Sequence, residues 1–144
     1  MTPSILRAAV TAFAVAGALA FAAPSMAAMM TFKANLKGAS EVPPNTTPGT
    51  GSVTVTYDSD SKKITWKGSY SGLTGPATAA HFHGPAPAGK NAGVMVPIAP
   101  ATSPLEGSAT LTDAQAKALM DGDMYVNIHT AANKAGEIRG QLMK

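Results

Sequence analysis

The sequence predicts an all-β domain, an antiparallel β-sandwich of about eight short strands with one short helix. Apolar and polar residues alternate along several short runs, which is the pattern of half-buried strands. Clusters of Gly, Pro, Asn and Asp separate these runs, and the chain contains 14 glycines and 11 prolines in 144 residues. Strands at this spacing bury their apolar faces by packing as two layers or by closing into a related barrel.

The first three strands are predicted from alternating runs. Residues 32–36 alternate apolar and polar side chains and predict the first strand. Residues 38–51 contain three prolines and are expected to be irregular. The runs at 53–57 and 64–68 alternate in the same way, and the polar segment 58–61 joins them. Together these two runs predict a β-hairpin.

Three shorter runs follow the hairpin. Residues 77–83 predict a strand that carries two histidines, and a Gly-Pro-rich segment ends it. The apolar run at 94–98 contains Pro97, which lacks an N–H and therefore predicts an edge strand or a bulge. Residues 107–111 predict another short strand.

The period then changes from that of a strand to that of a helix. Residues 113–120 are helix formers, Thr112 is placed as their N-cap, and Gly122 as their stop. The apolar residues on the expected inner face of this helix are Ala116, Leu119 and Met120. Alternation resumes at 124–130 and 137–142, which predict the last two strands.

The first 27 residues predict a cleaved export signal. Arg7 supplies a positive charge, residues 8–23 are apolar, and the small residues Ser25 and Ala27 resemble a cleavage site. We therefore expect residues 28–144 to form one exported domain, in the periplasm or outside the cell. A membrane anchor is the alternative interpretation, which the short apolar run disfavours, and no membrane span is expected after cleavage.

Composition excludes several classes of function. The chain contains no cysteine, so disulfides and thiolate metal sites are excluded. Removing Arg7 with the signal leaves ten basic and eight acidic residues, and the basic ones are scattered. A nucleic-acid partner is therefore not expected. No nucleophile, base and acid occur in a recognisable catalytic pattern, so a binding protein is expected rather than an enzyme.

All three histidines lie in two short segments, 80–84 and 127–130. His81 and His83 share one face of their strand because alternate side chains point to the same side. If the two strands are neighbours, His129 joins them, and three imidazoles would suit one Zn²⁺ or Cu²⁺ ion. The alternative is that the histidines bond to turn backbone and fix the corners that follow their strands.

Two charged residues of the last strand are further candidates. Glu137 could be a fourth metal ligand, or it could accept a hydrogen bond from a histidine N–H. The same residue could equally form a structural charge pair. For Arg139 a structural role is favoured, with its guanidinium contacting a carboxylate or carbonyl such as those of the turn at 41–44.

Four ordered motifs resemble the CHRD domain, a family named after its repeats in chordin. They are GASEVPP at 38–44, AHFHG at 80–84, YVNIHT at 125–130, and Asn133 with GEIRGQL at 136–142. The resemblance covers about residues 31–143. It implies an all-β domain in an extracellular or periplasmic setting, and it implies little about activity.

The histidine strand also resembles the His-x-His strand of copper-zinc superoxide dismutase, another β-sandwich. An Ig-like or superoxide-dismutase-like Greek key is therefore the expected topology. Three histidines are too few for two metals, there is no bridging candidate, and no disulfide can form, so dismutase activity is not expected.

The sequence as a whole predicts a secreted binding protein that holds one copper or zinc ion through His81, His83 and His129. One alternative is a structural or adhesive module that binds a protein or a polysaccharide and holds no metal. The other is a copper oxidoreductase of superoxide-dismutase-like architecture.

Overall fold

The structure is a computed structural model that describes residues 27–144, so the predicted signal peptide, apart from Ala27, lies outside the described residues. The strands are β1 (Met29–Lys37), β2 (Thr50–Asp58), β3 (Lys63–Ser71), β4 (Ala77–His83), β5 (Val94–Pro97), β6 (Leu105–Thr110), β7 (Tyr125–Thr130) and β8 (Ile138–Gln141). A 3-10 turn (Gly38–Ser40) follows β1, and one helix, α1 (Asp113–Asp121), precedes β7.

The eight strands form one antiparallel sheet in the order β5-β4-β7-β8-β1-β2-β3-β6. β1 and β8 share only the pair Lys37 and Arg139 in register, so the sheet has a narrow junction at its middle. Trp66 of β3 and Phe82 of β4 are far apart in this order, yet their ring centroids lie 5.2 Å apart. The two halves therefore face each other across a common core, and the predicted all-β sandwich is confirmed.

The core is formed by the inward side chains of the alternating strands, as the sequence predicted. In β1, for example, Phe32, Ala34 and Leu36 are buried while the polar residues between them are exposed. The largest fully buried apolar side chains are Phe32, Phe82, Leu36, Ile64, Leu105, Leu119, Met124, Ile128, Ile138 and Leu142. Each contributes roughly 1.5–3 kcal/mol through removal of apolar surface from water.

Helix α1 begins and ends at the predicted residues. The Thr112 hydroxyl accepts a hydrogen bond from the Gln115 N–H at 3.2 Å, and the Gln115 side chain accepts one from the Thr112 N–H at 2.9 Å. This reciprocal pair is a capping box. Gly122 ends the helix at φ +79°, a left-handed conformation that favours glycine.

One predicted core position of α1 is wrong. Met120 is 38 % exposed, whereas Ala118 is buried beside Leu119. Met124, which follows the turn at Gly122, is fully buried. Within residues 27–144, no helix has the length and apolar character needed to cross a membrane.

Gly107 of β6 allows Trp66 to lie against the sheet, because an added Cβ would overlap the indole ring. We predict that Gly107→Ala lowers the free energy of unfolding by about 1–3 kcal/mol through overpacking. Gly75→Ala is the matched control, since no heavy atom lies within 4 Å of the Cβ it would add. Urea unfolding of both variants measures the difference. Equal stability of the two variants would contradict the proposed packing constraint.

Candidate metal centre

The three histidines project from two paired strands. β4 and β7 are antiparallel neighbours, and their register sets Ala79 opposite His129 and His81 opposite Asn127. Ala80, Phe82 and Ile128 alternate with the histidines along these strands and are buried in the core. The imidazoles therefore lie on the opposite face of this half of the sheet. We call His81, His83 and His129 the histidine cluster.

The ring nitrogens of the cluster are close together. One nitrogen of each ring lies within 4.8 Å of one nitrogen of both others. His81 Nδ1 and His129 Nε2 are 3.1 Å apart, and the two ring centroids are 5.0 Å apart. The structure thus brings together the three histidines that the sequence singled out, and it does so through the strand pairing on which the prediction depended.

Two of the imidazoles are oriented by backbone carbonyl oxygens. His83 Nδ1 lies 3.0 Å from Ala92 O, and His129 Nδ1 lies 2.9 Å from Lys134 O. A carbonyl oxygen can only accept, so in the neutral form of each ring Nδ1 carries the proton and Nε2 carries the lone pair. His83 Nε2 is buried and has no hydrogen-bond partner among the described residues. Carbonyl acceptors of this kind are the usual partners of metal-ligating histidines.

In His81 the ring proton lies on Nδ1, which faces His129. Because His129 Nε2 is a lone pair, His81 Nδ1–H donates to it across the 3.1 Å contact. An ion bound between these two atoms would require His81 to carry its proton on Nε2 instead. Neutral imidazole changes tautomer readily, so the cluster can offer Nδ1 of His81 with Nε2 of His83 and His129.

Burial keeps two of the imidazoles neutral. It is the main cause that lowers the pKa of His81, and the neighbouring His129 adds to it. Burial is also the main cause that lowers the pKa of His83. The hydrogen bond to Ala92 raises this pKa, but burial and the nearby His81, His129 and Arg139 together outweigh it. Both side chains therefore lose their proton at a lower pH than a free imidazole and present lone pairs at neutral pH.

A stack of three side chains supports the cluster from one side. The His83 and Tyr125 rings are parallel within 6°, with centroids 5.0 Å apart. The guanidinium carbon of Arg139 lies over the Tyr125 ring, 3.5 Å from its centroid. The Tyr125 hydroxyl accepts from Ala92 N at 3.0 Å and donates to Ala92 O at 3.2 Å. Tyr125 therefore fixes the same carbonyl group that orients His83, a role that sequence reasoning missed.

Arg139 has the structural role that the sequence favoured, with different acceptors. Its guanidinium donates to Lys90 O at 2.6 Å and to Asn91 Oδ1 at 3.0 Å, and thus holds the loop after β4. The turn at 41–44 is reached indirectly, because Asn91 Nδ2 donates to Val42 O at 2.9 Å. These acceptors could not be predicted from the sequence, because Lys90 and Asn91 lie on a loop far from Arg139 along the chain.

Glu137 lies in a separate polar cluster and is not brought to the histidines. Its carboxylate accepts hydrogen bonds from the hydroxyls of Thr47 and Thr130 at 2.5 Å and of Thr74 at 2.7 Å. The Thr74 N–H is a fourth donor at 2.8 Å. Burial alone would raise the pKa of Glu137, but these donors outweigh it and lower the pKa to about 2. Glu137 thus links three segments of the chain as a buried, hydrogen-bonded anion.

Glu41 is a buried carboxyl group whose environment sequence reasoning did not anticipate. It accepts a hydrogen bond from Asn127 Nδ2 at 2.6 Å. Burial raises the pKa of Glu41 to about 7, against the attraction of Arg139, which lowers it. The two buried glutamates therefore differ because one has four donors around it and the other has one.

Comparison with known proteins identifies the family of this domain. The family model described as the CHRD domain matches residues 32–142, which confirms the resemblance drawn from the four motifs. No curated protein and no solved structure matches the chain. The match covers all of the strands that carry the histidine cluster and its supporting residues.

We predict that Glu137 contributes to the pH dependence of stability. The folded-state pKa of about 2 lies below the ordinary value of 4.5, so the stabilisation is present above pH 4.5 and is lost as the pH falls toward 2. Glu137→Gln should lower the free energy of unfolding at pH 7 by roughly 2–3 kcal/mol and flatten its decline below pH 4.5. Denaturant unfolding between pH 7 and pH 2 measures both effects.

Glu106→Gln is the control for that comparison, because Glu106 is an exposed residue on β6. We expect its unfolding curve to follow the wild type at each pH. A Glu137→Gln variant that also follows the wild type would show that the threonine donors do not stabilise the carboxylate.

Proposed function

The chain belongs to the CHRD domain family, and we propose that it is an exported binding protein whose histidine cluster holds one copper or zinc ion. The observation that carries this proposal is the orientation of His83 and His129. Each donates Nδ1–H to a backbone carbonyl and directs an Nε2 lone pair into a space shared with His81. His83 Nε2 is buried without a partner among the described residues, which a role in stabilising the turn alone does not explain.

The spacing of the nitrogens supports one shared ion. Ligands at the Zn–N distance of about 2.0–2.1 Å in a tetrahedral site lie roughly 3.3 Å apart. The 3.1 Å between His81 Nδ1 and His129 Nε2 is close to this value, and the 4.8 Å limit for the group requires a small inward movement. Small shifts of the three side chains that keep the Nδ1 bonds of His83 and His129 would provide that movement.

The chemistry of the donors decides the class of metal. Three neutral imidazoles suit Cu²⁺ and Zn²⁺, whereas Ca²⁺ and Mg²⁺ need oxygen ligands. Three protein ligands leave a coordination position for water or another small molecule. The groups around the cluster orient the imidazoles and stack against them, which suits binding of an ion. Export would expose the domain to metal ions outside the cytoplasm, in the periplasm or the medium.

Metal titration of the protein, purified without a histidine tag, tests the proposal. We expect one Cu²⁺ or Zn²⁺ ion per chain by calorimetry and by mass-spectrometric metal analysis. His83→Ala and His129→Ala should each weaken binding by at least about 100-fold, since even residues that only orient a ligand are worth 10–100-fold. Lys134→Ala is the control, because it preserves the carbonyl that orients His129.

The outcomes separate the proposed function from its alternatives. A stoichiometry near zero, or equal affinity of His129→Ala and wild type, would contradict metal binding at the cluster. A chelator-insensitive interaction with a protein or polysaccharide would then favour the metal-free adhesive module. Redox cycling of a copper-loaded protein would instead favour an oxidoreductase.

A further inference from the structure

Two buried side chains of opposite charge line one cleft without forming an ion pair. The cleft has a volume of about 390 Å³ and lies between the turn after β1 and the loop after β4. Glu41 is 6 % exposed and Arg139 is 2 % exposed. The remaining lining residues are Ala39, Ser40, Val42, Pro44, Ala88, Gly89 and Gln141.

Arg139 has no carboxylate partner. Its two identified hydrogen bonds go to neutral acceptors, Lys90 O and Asn91 Oδ1, and none of the ion pairs within residues 27–144 includes it. A guanidinium has five N–H donors, so donors remain after these two bonds. Glu41 attracts Arg139 electrostatically but forms no ion pair with it, so the guanidinium lacks a direct carboxylate contact. A planar guanidinium matches a carboxylate with two parallel hydrogen bonds.

Glu41 is under-compensated in the opposite sense. Asn127 Nδ2 is its one identified donor, and burial opposes ionisation of the carboxyl group. Gln141, which lines the same cleft two residues after Arg139 on β8, has a buried Oε1 acceptor without a hydrogen-bond partner among the described residues. The cleft therefore has room for an anion at Arg139 and for a cationic or N–H donor at Glu41 and Gln141.

We propose that this cleft binds a free α-amino acid, with its carboxylate against Arg139 and its ammonium against Glu41 and Gln141 Oε1. An anion without an ammonium would leave Glu41 uncompensated, and a simple amine would leave Arg139 uncompensated. The zwitterion pairs both charges at once. The apolar surface of Ala39, Val42, Pro44 and Ala88 favours an aliphatic side chain.

Calorimetry on the metal-free protein at pH 8, where Glu41 is ionised, tests the proposal with three matched probes. L-leucine carries both charges, 4-methylpentanoate lacks the ammonium, and isoamylamine lacks the carboxylate. We expect saturable one-to-one binding of L-leucine and at least about tenfold weaker binding of the other two compounds. The absence of metal keeps this result independent of the proposed metal function, because amino acids also chelate metals.

Variants locate the binding. Ala88 is an exposed residue that lines the cleft, so Ala88→Trp should fill the cleft and abolish L-leucine binding. Ala114→Trp, on the exposed side of α1, should leave L-leucine binding unchanged. Glu41→Gln should weaken L-leucine by about tenfold and reduce its advantage over 4-methylpentanoate. No saturable binding to the wild type, equal affinity for L-leucine and 4-methylpentanoate, or full binding by Ala88→Trp would each overturn the proposal.

Discussion

The antiparallel pairing of β4 with β7 is the interaction on which the candidate site depends. Its register places the imidazoles of His81, His83 and His129 on one side of the sheet, while Phe82 and the alternate residues of β7 enter the core. Apolar burial on the inner face therefore fixes the geometry of the outer face. A shift of one residue would turn every side chain of β4 to the opposite side, so the core specifies the histidine cluster as strictly as any direct contact.

The outer face of this half of the sheet is polar, yet much of it is buried beneath loops. Each buried polar group must therefore be satisfied by the loops that cover it. Arg139 holds the loop after β4 through Lys90 and Asn91, and Tyr125 fixes the Ala92 group that orients His83. Loop placement and imidazole orientation thus arise from the same contacts. Hydrogen bonding is incomplete at His83 Nε2 and at Gln141 Oε1, and these are the places where we propose that ligands bind.

Local periodicity was sufficient to predict the strands, the helix and the shared face of two histidines. Alternation located the strands, the Thr112 and Gly122 signals bounded the helix, and the two-residue spacing put His81 and His83 on one side. Contacts between distant segments were beyond that reasoning. The threonines around Glu137 come from three separate segments, and the loop acceptors of Arg139 have no sequence signature. Met120 was misplaced because the helical period alone does not fix how a short helix is rotated against the core, and here Ala118 is buried where Met120 is exposed.

Anomalous diffraction from a copper-loaded crystal would locate the bound ion relative to the three imidazoles. We expect one peak at the copper edge per chain, within bonding distance of His83 Nε2 and His129 Nε2 and of a ring nitrogen of His81. We also expect that the bonds from His83 to Ala92 O and from His129 to Lys134 O remain unchanged. A copper peak elsewhere in the molecule would overturn the proposed site. So would a copper-soaked crystal with no copper at the histidine cluster and the hydrogen bond between His81 and His129 intact.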